Sequence, residues 1–381
     1  MQLVLSSIVS GSLLLLAFIS FINPQKANVV ANRWLAFLFF STACATASPV
    51  VTDDTTIRLL ELTRFAMAPA LYLSVLYFTS PAKKFKRIEL LHFIPFLLFA
   101  VFAQKFIIPI SFKDSLAQGV RQIVHINPGF LVFLSVVIQV ITYWILSWAR
   151  LRQHEKNIKL FASVSRPLDL WWLRYLLIGL AVMVLIWLNH NFFHITFISA
   201  IAPWGYLFAV YFIAYFSLKQ GEIFAFDQQS VVEIKEIIQE EKTKATSRHA
   251  RLTDSEFAAL KQQLEHLMNM DKLFLNATLG LPELATKMNS SSHQISFLIN
   301  EGFGENFYQF VNRYRIEEAK RLLLSEKHRH LNMLGIAYES GFNSKTTFNT
   351  TFKKLTGLSP TEYQQQSEPN VIVSRSSSST I

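Results

Sequence analysis

Charge is nearly absent from long stretches of this sequence. Lys, Arg, Asp and Glu together make up 16% of its 381 residues, well under the usual quarter of a soluble chain. The shortage is concentrated before residue 218, and the remainder has an ordinary soluble composition. There is one cysteine, Cys44, inside an apolar run. That excludes an intrachain disulfide framework and cysteine-rich zinc sites, and it reads as a small buried hydrophobe. No glycine-rich phosphate loop, Ser/His/Asp set or Cys/His set is present, so neither an enzyme nor a cofactor is expected. The apolar stretches also have almost no acidic or basic residues in their interiors, which argues against proton-coupled transport.

What remains is apolar length. Seven stretches, near 3–22, 34–51, 65–80, 90–104, 129–148, 171–189 and 197–217, have about the length needed to cross a bilayer. The first lacks the basic start and small-residue cleavage site of a signal peptide, so it is expected to be a span. Twelve Lys and Arg flank spans one, three and five on one side: Lys26, Arg33, Lys83, Lys84, Lys86, Arg87, Arg150, Arg152, Lys156, Lys159, Arg166 and Arg174. Only five, Arg58, Arg64, Lys105, Lys113 and Arg121, fall on the other. Basic loops stay cytoplasmic, which predicts an outside N-terminus and a cytoplasmic C-terminus. Gln139, Thr142, Asn189 and His190 are polar exceptions, and Pro69, Pro95 and Pro203 interrupt spans where they could shape a pocket. His190 and His194 stand four apart with no third ligand in evidence, so no metal is expected.

The joint, 218–251, is polar, with Val231, Ile234 and Ile238 at helical spacing. Then "LTDSEF" combines a Thr253–Glu256 capping box with a Leu252–Phe257 staple. Behind it Phe257, Leu260, Leu264 and Leu267 are spaced either for a dimer seam or for packing on the helix's own domain.

The last third repeats itself. Ile295, Ile299 and Gly304 recur as Phe348, Phe352 and Gly357, each 53 residues later, and Ala285 recurs as Ala337 at an offset of 52. A small alanine where two short helices cross, with apolar residues four apart on the second, is what a helix-turn-helix needs. "NFYQFVNRYRIEEAKRLLL" reads as one long amphipathic helix between the two units, directing Phe310, Tyr314 and Leu322 inward. "SPTEY" supplies a Ser359 cap, Pro360 and Glu362 for a closing helix.

On "LPELATKM", "NRYRIEEAKRLLL" and "IAYESGFNSKTTFNTTFKKLTGLSPTEY", residues 252–366 resemble the DNA-binding domain of the AraC/XylS family of bacterial transcription regulators. With the spans, the chain resembles its membrane-tethered members. The expected fold class is all-α. It comprises a seven-helix transmembrane sensor bundle over 1–217, a partly helical linker over 218–251, two helix-turn-helix units joined by a long helix over 252–366, and a disordered tail over 367–381. The resemblance implies a bacterial inner-membrane location and partners in double-stranded DNA, the phospholipid bilayer, an unidentified signal ligand and a second copy in a homodimer. It also implies base contacts from Ser292, His293, Ser296 and Phe297 on the first recognition helix, and from Lys345, Thr346, Asn349 and Thr350 on the second. Arg313, Arg315, Lys353 and Lys354 are the expected phosphate contacts. The chain departs from the family at Phe297 and Thr350, where members often carry Gln or Arg, which puts base specificity there in question. Residues 280–366 hold ten Lys and Arg against eight Asp and Glu, a modest electrostatic footprint. An alternative stays open, in which a membrane receptor or transporter-like protein binds a protein partner through its helical tail.

Overall fold

The structure, a computed structural model, describes residues 2–22, 28–80, 85–105, 128–163, 170–189, 195–219, 228–243 and 252–367. His190, His194, both ends of the joint and the tail beyond Ser367 lie outside them. The regular elements among the described residues are helices, with one isolated bridge between Ala162 and Gly280. Two compact units are formed, one from residues 1–155 with 167–225 and the other from 156–166 with 226–381.

The first unit contains α1 (Gln2–Ile22), α2 (Val29–Ala47), α3 (Asp54–Leu62), α4 (Arg64–Phe78), α5 (Ile94–Lys105), most of α6 (Pro128–Phe161), α7 (Trp171–Leu188) and α8 (Thr196–Lys219). Its core joins Val9, Leu13 and Leu16 of α1 to Leu35 and Phe39 of α2, Leu71 and Val75 of α4, and Trp172 and Leu177 of α7. Small residues, Ala31, Ala43 and Ala70, let the backbones approach closely, as helices in lipid require. Polar side chains bond inward across the seams. Ser74 donates to the Ala31 carbonyl at 3.2 Å, Gln139 to Phe65 O at 3.0 Å and Trp144 to Leu177 O at 2.8 Å. His92 Nδ1 and the Tyr143 hydroxyl lie 2.9 Å apart, with Tyr72 edge-on to His92 and tilted against Tyr143. The outer faces are the reverse of a soluble protein's, since Leu15, Phe18, Leu185 and Phe208 are each more than half exposed.

The expectation of seven spans is corrected. Among the described residues four helices are long and apolar enough to cross a membrane: Leu3–Ile22, Val29–Ala47, Thr55–Phe78 and Leu134–Phe161. The stretch at 90–104 breaks into a 3-10 turn, Arg87–Phe93, and the 12-residue α5. Pro95 falls in the first turn of α5, where its missing N–H costs nothing, so it starts a helix instead of kinking one. Twelve residues rise only about 18 Å. The apolar part of α7, Trp171–Ile186, is also short, and α8, at the seventh stretch, is not among the four.

The second unit contains the end of α6, then α9 (Gln228–Thr243), α10 (Asp254–Asn269), α11 (Leu281–Lys287), α12 (Ser292–Phe303), α13 (Phe307–Leu323), α14 (Met333–Glu339), α15 (Lys345–Thr356) and α16 (Pro360–Ser367). The capping box expected at α10 is present: Thr253 Oγ1 accepts from Glu256 N, and Thr253 N donates to the Glu256 carboxylate at 2.8 Å. Ser359 and Glu362 cap α16 in the same reciprocal way. Leu264 is fully buried and Phe257 meets Phe297, so the apolar stripe of α10 packs on its own domain.

Two consequences are measurable. Ala70 is fully buried in the first core, so Ala70→Phe overpacks it and lowers stability by about 1–3 kcal/mol, read as a lower melting temperature in detergent micelles. In the second unit Glu318 bonds to Arg321 and also to Lys272, and these contacts hold its carboxyl below the usual carboxylate range. A carboxyl with a lowered folded pKa stabilises fully above the unfolded value and loses that contribution as pH falls through the folded one. Glu318→Gln is therefore expected to flatten the acid limb of the second unit's melting curve, and equal acid sensitivity in both proteins would count against the ion pairs.

Candidate nucleic-acid interface

Two helix-turn-helix units are built from α11 with α12 and from α14 with α15. In each, the short first helix buries its alanine, Ala285 or Ala337, against the second. The chain then turns through one left-handed residue four positions later. This is Asn289 at φ 49° in the first unit and Gly341 at φ 88° in the second, an equivalence at offset 52 that the sequence contained. A Cβ on Gly341 would lie 2.4 Å from the Phe274 carbonyl oxygen, so glycine is obligatory there for close approach as well as for backbone angle. Ser291 and Ser344 cap the second helices, with Gln294 completing a box at the first. Gly304 and Gly357 end them in left-handed conformation. Ile295 and Ile299, like Phe348 and Phe352, are fully buried, fixing which face of each second helix turns outward.

That outward face differs between the units. Lys345, Thr346, Asn349 and Thr350 are all exposed on α15, with Lys353 and Lys354 exposed one turn on. On α12, Ser292 is 1% exposed, and His293, Ser296 and Phe297 are half-buried. Arg313 is partly exposed and already engaged. Its Nε donates to both carboxylate oxygens of Glu305 at 3.1 Å, and its guanidinium lies over Tyr314 at 4.8 Å.

Arg315 does not reach the surface as expected of a phosphate contact. It is 0% exposed and is held by oxygen atoms of the 274–276 turn, of Ser163 and of Asn312. Nε donates to Phe274 O at 2.7 Å and Nη2 to Asn276 O at 2.8 Å. Nη1 donates to Ser163 O at 3.3 Å and Nη2 to Ser163 Oγ at 3.1 Å. Burial pushes its pKa down to about 10, leaving it charged at neutral pH. The physical reason was available in the periodicity: Arg315 stands four residues from Val311 and four from Ala319, on the buried stripe of α13. Asn312 adds a bond from Nδ2 to Ser163 O at 3.1 Å. Sequence reading missed Ser163, and no local signal could have found a partner 152 residues away.

Comparison with known proteins agrees with this geometry. Residues 284–366 match a family model described as a helix-turn-helix domain, and the C-terminal region carries a helix-turn-helix DNA-binding domain of the AraC type. An uncharacterized HTH-type transcriptional regulator of Staphylococcus aureus (strain COL) is 32% identical over 93 residues, 24% of this chain and 12% of that protein. The "Probable transcriptional regulator LumQ" of Photobacterium leiognathi is 31% identical over 90 residues, 24% of this chain and 35% of that protein. The chain thus spans about an eighth and about a third of the length of these curated relatives. Among solved structures, the C-terminal domain of the two-component response regulator yesN from Fusobacterium nucleatum is 27% identical, covering 28% of this chain and 98% of that one at a TM-score of 0.25.

Arg315→Ala removes the donor from at least three buried oxygens and is expected to cost about 2–4 kcal/mol. Arg315→Lys should recover little of this, since an ammonium cannot reproduce the planar fork. Gly341→Ala should cost at least about 2 kcal/mol. By contrast, Gly335→Ala in α14, where a Cβ meets the flexible Leu331 side chain at 3.3 Å, should be near neutral. Calorimetry of the full-length protein would separate these outcomes.

Proposed function

We propose that the chain is a membrane-embedded, one-component transcription regulator that binds double-stranded DNA sequence-specifically through its two helix-turn-helix units. The observation that carries this reading is the exposed quartet on α15. Lys345, Thr346, Asn349 and Thr350 project from the second helix of a unit within an AraC-type domain. Asn349 suits the two-point pattern of adenine, Lys345 suits guanine, and Thr346 and Thr350 suit hydroxyl or methyl contacts. His293, Ser296 and Phe297 would read a second stretch of major groove, with Phe297 offering apolar contact to a thymine methyl in place of a bidentate pair. Lys353 and Lys354 would bind phosphates, adding affinity without sequence information. Arg313 would join them only by exchanging its Glu305 pairing for DNA.

The first unit is the sensor in this proposal. Apolar outer faces and inward-turned polar groups support insertion in a bacterial inner membrane, with the DNA-binding domain cytoplasmic as the basic loops predict. Residues 252–366 act as the reader and 218–251 as the joint, and the signal is an unidentified ligand at the outer face or within the bilayer. The modest basic excess of the reader favours a homodimer on two half-sites.

The test is genome-wide crosslinking of the full-length protein to DNA in its own membrane. Discrete peaks sharing a two-part motif are expected, and Lys345→Ala with Asn349→Ala should abolish them, each lost base contact being worth about 1–3 kcal/mol. Lys353→Ala with Lys354→Ala should instead weaken every site alike and reduce the salt slope by about two. Peaks indifferent to the first pair, or a tail that captures a protein and no DNA, would overturn the proposal.

A further inference from the structure

The internal repeat offers a comparison of equivalent positions in two settings. Ser292, His293, Ser296 and Phe297 correspond, 53 residues on, to Lys345, Thr346, Asn349 and Thr350. The later four are exposed, while the earlier four are buried or half-buried. The two units share their caps, turns and buried alanines, so the difference comes from what lies against them. Two elements cover the first. α10 brings Phe257 edge-on to Phe297, ring centroids 6.3 Å apart. α9 packs against α12 and is the more telling of the two.

The contact of α9 has an apolar and a charged part. Val231, Ile234, Ile237 and Ile238 form a buried stripe, with Ile234 at 0% exposure. Beside it the Glu233 carboxylate accepts the backbone N–H of Ser292, the first residue of α12, at 3.0 Å. Free N–H groups and the positive end of the helix dipole make such a terminus attractive to an anion, and backbone N–H groups at helix N-termini are among the donors proteins present to DNA phosphates. The neighbouring Ser292 hydroxyl is buried without a hydrogen-bond partner among the described residues, a polar group that the covered arrangement leaves unsatisfied. α9 carries Glu233, Glu236, Glu240 and Glu241 against Lys235 and Lys242, so its net sign is that of DNA.

We propose that α9 is an intramolecular lid over the first reader, with its Glu233 carboxylate occupying the place of a DNA phosphate at the start of α12. The proposal rests on the DNA-reading function given above and adds its regulation. With the lid down, only α15 is available and binding is weak. Lifting α9 frees the Ser292 amide and hydroxyl together with His293 and Ser296, and both units engage. In sequence α9 stands between the last apolar helix and the reader, where a change in the sensor would reach it first.

Ile234→Asp tests this, because it dislodges the apolar stripe while adding negative charge. Simple electrostatics would weaken DNA binding, whereas loss of the lid strengthens it. Full-length protein in lipid nanodiscs would be titrated with a mixed-sequence 40-base-pair duplex at low salt, chosen as the probe because the operator is unidentified. Affinity is expected to rise about tenfold in Ile234→Asp, since a closed fraction lowers apparent affinity in proportion. Glu233→Gln, which disturbs packing least, should give a smaller rise. His293→Ala should lower affinity by a larger factor in the Ile234→Asp background than in the otherwise unaltered chain. Unchanged or weaker binding by both α9 variants, or an equal His293 effect in both backgrounds, overturns the lid while leaving DNA reading intact. Absence of binding by every variant overturns the lid together with the function on which it rests.

Discussion

A single buried guanidinium ties the second unit together. Arg315 stands midway along α13, the helix that joins the two helix-turn-helix units, and reaches the 273–276 turn on one side and Ser163 on another. Removing a guanidinium from water is costly, and such a group is tolerated only when its donors are satisfied. Here main-chain carbonyls, one hydroxyl and the Asn312 amide oxygen satisfy it, with no carboxylate partner among the described residues. The arrangement is directional and planar, which fixes α13 in rotation as well as position. Gly341 completes the constraint: its bare Cα lets the second unit's turn close on Phe274 O, the same oxygen that accepts from Arg315. One side chain and one absent side chain thus act beside the apolar packing of α13 in holding the two helix-turn-helix units in place.

The same junction takes in residues from far up the chain. Beyond Lys156 the end of α6 belongs to the second unit, with Phe161 buried, Ala162 bridged to Gly280 and Lys159 over the Tyr308 ring. Tyr308 in turn meets Thr351 on the inner face of α15. α6 is 34 residues long, roughly 50 Å of continuous helix, well beyond the ~30 Å of a hydrocarbon core. From Lys156 on, the charged end of this helix, with Lys156 and Lys159, is thus a structural part of the second unit.

How much of this the sequence disclosed depended on the range of the interaction. Caps are local, and Thr253, Ser359 and Glu362 do what their spacing predicts. The helix-turn-helix pair was legible because a repeat shows each constraint twice: buried alanine, apolar residues four apart, glycine at the end. Even the left-handed turn residue could have been found by aligning Asn289 with Gly341. Arg315 was misjudged because basic residues near a DNA reader invite a phosphate reading, although its place on the α13 stripe argued for burial. Ser163 was out of reach, being fixed by a fold and not by a pattern. The spans were overcounted for a different reason. Apolar composition over 90–104 does not reveal that Arg87–Phe93 winds as a 3-10 turn, nor that Pro95 begins a new helix.

The repeat also explains how one chain can carry an open and a covered reader without two different designs. A helix-turn-helix buries its Ile295–Ile299 or Phe348–Phe352 face within its own unit, so the outward face is free to be either bare or covered. Covering requires an apolar stripe and a charge of DNA-like sign at the helix start, which α9 supplies and nothing at α15 matches among the described residues. The charged contact is slight, since Glu233 makes one hydrogen bond to a main-chain amide, and the buried apolar stripe of α9 supplies most of the cover. In the lid proposal, DNA or a membrane signal displaces this cover only by favouring the open state by as much free energy as the cover contributes. The Arg315 junction is many-partnered and buried, and in the proposed switch it would keep the frame of the second unit fixed while the first recognition helix is uncovered.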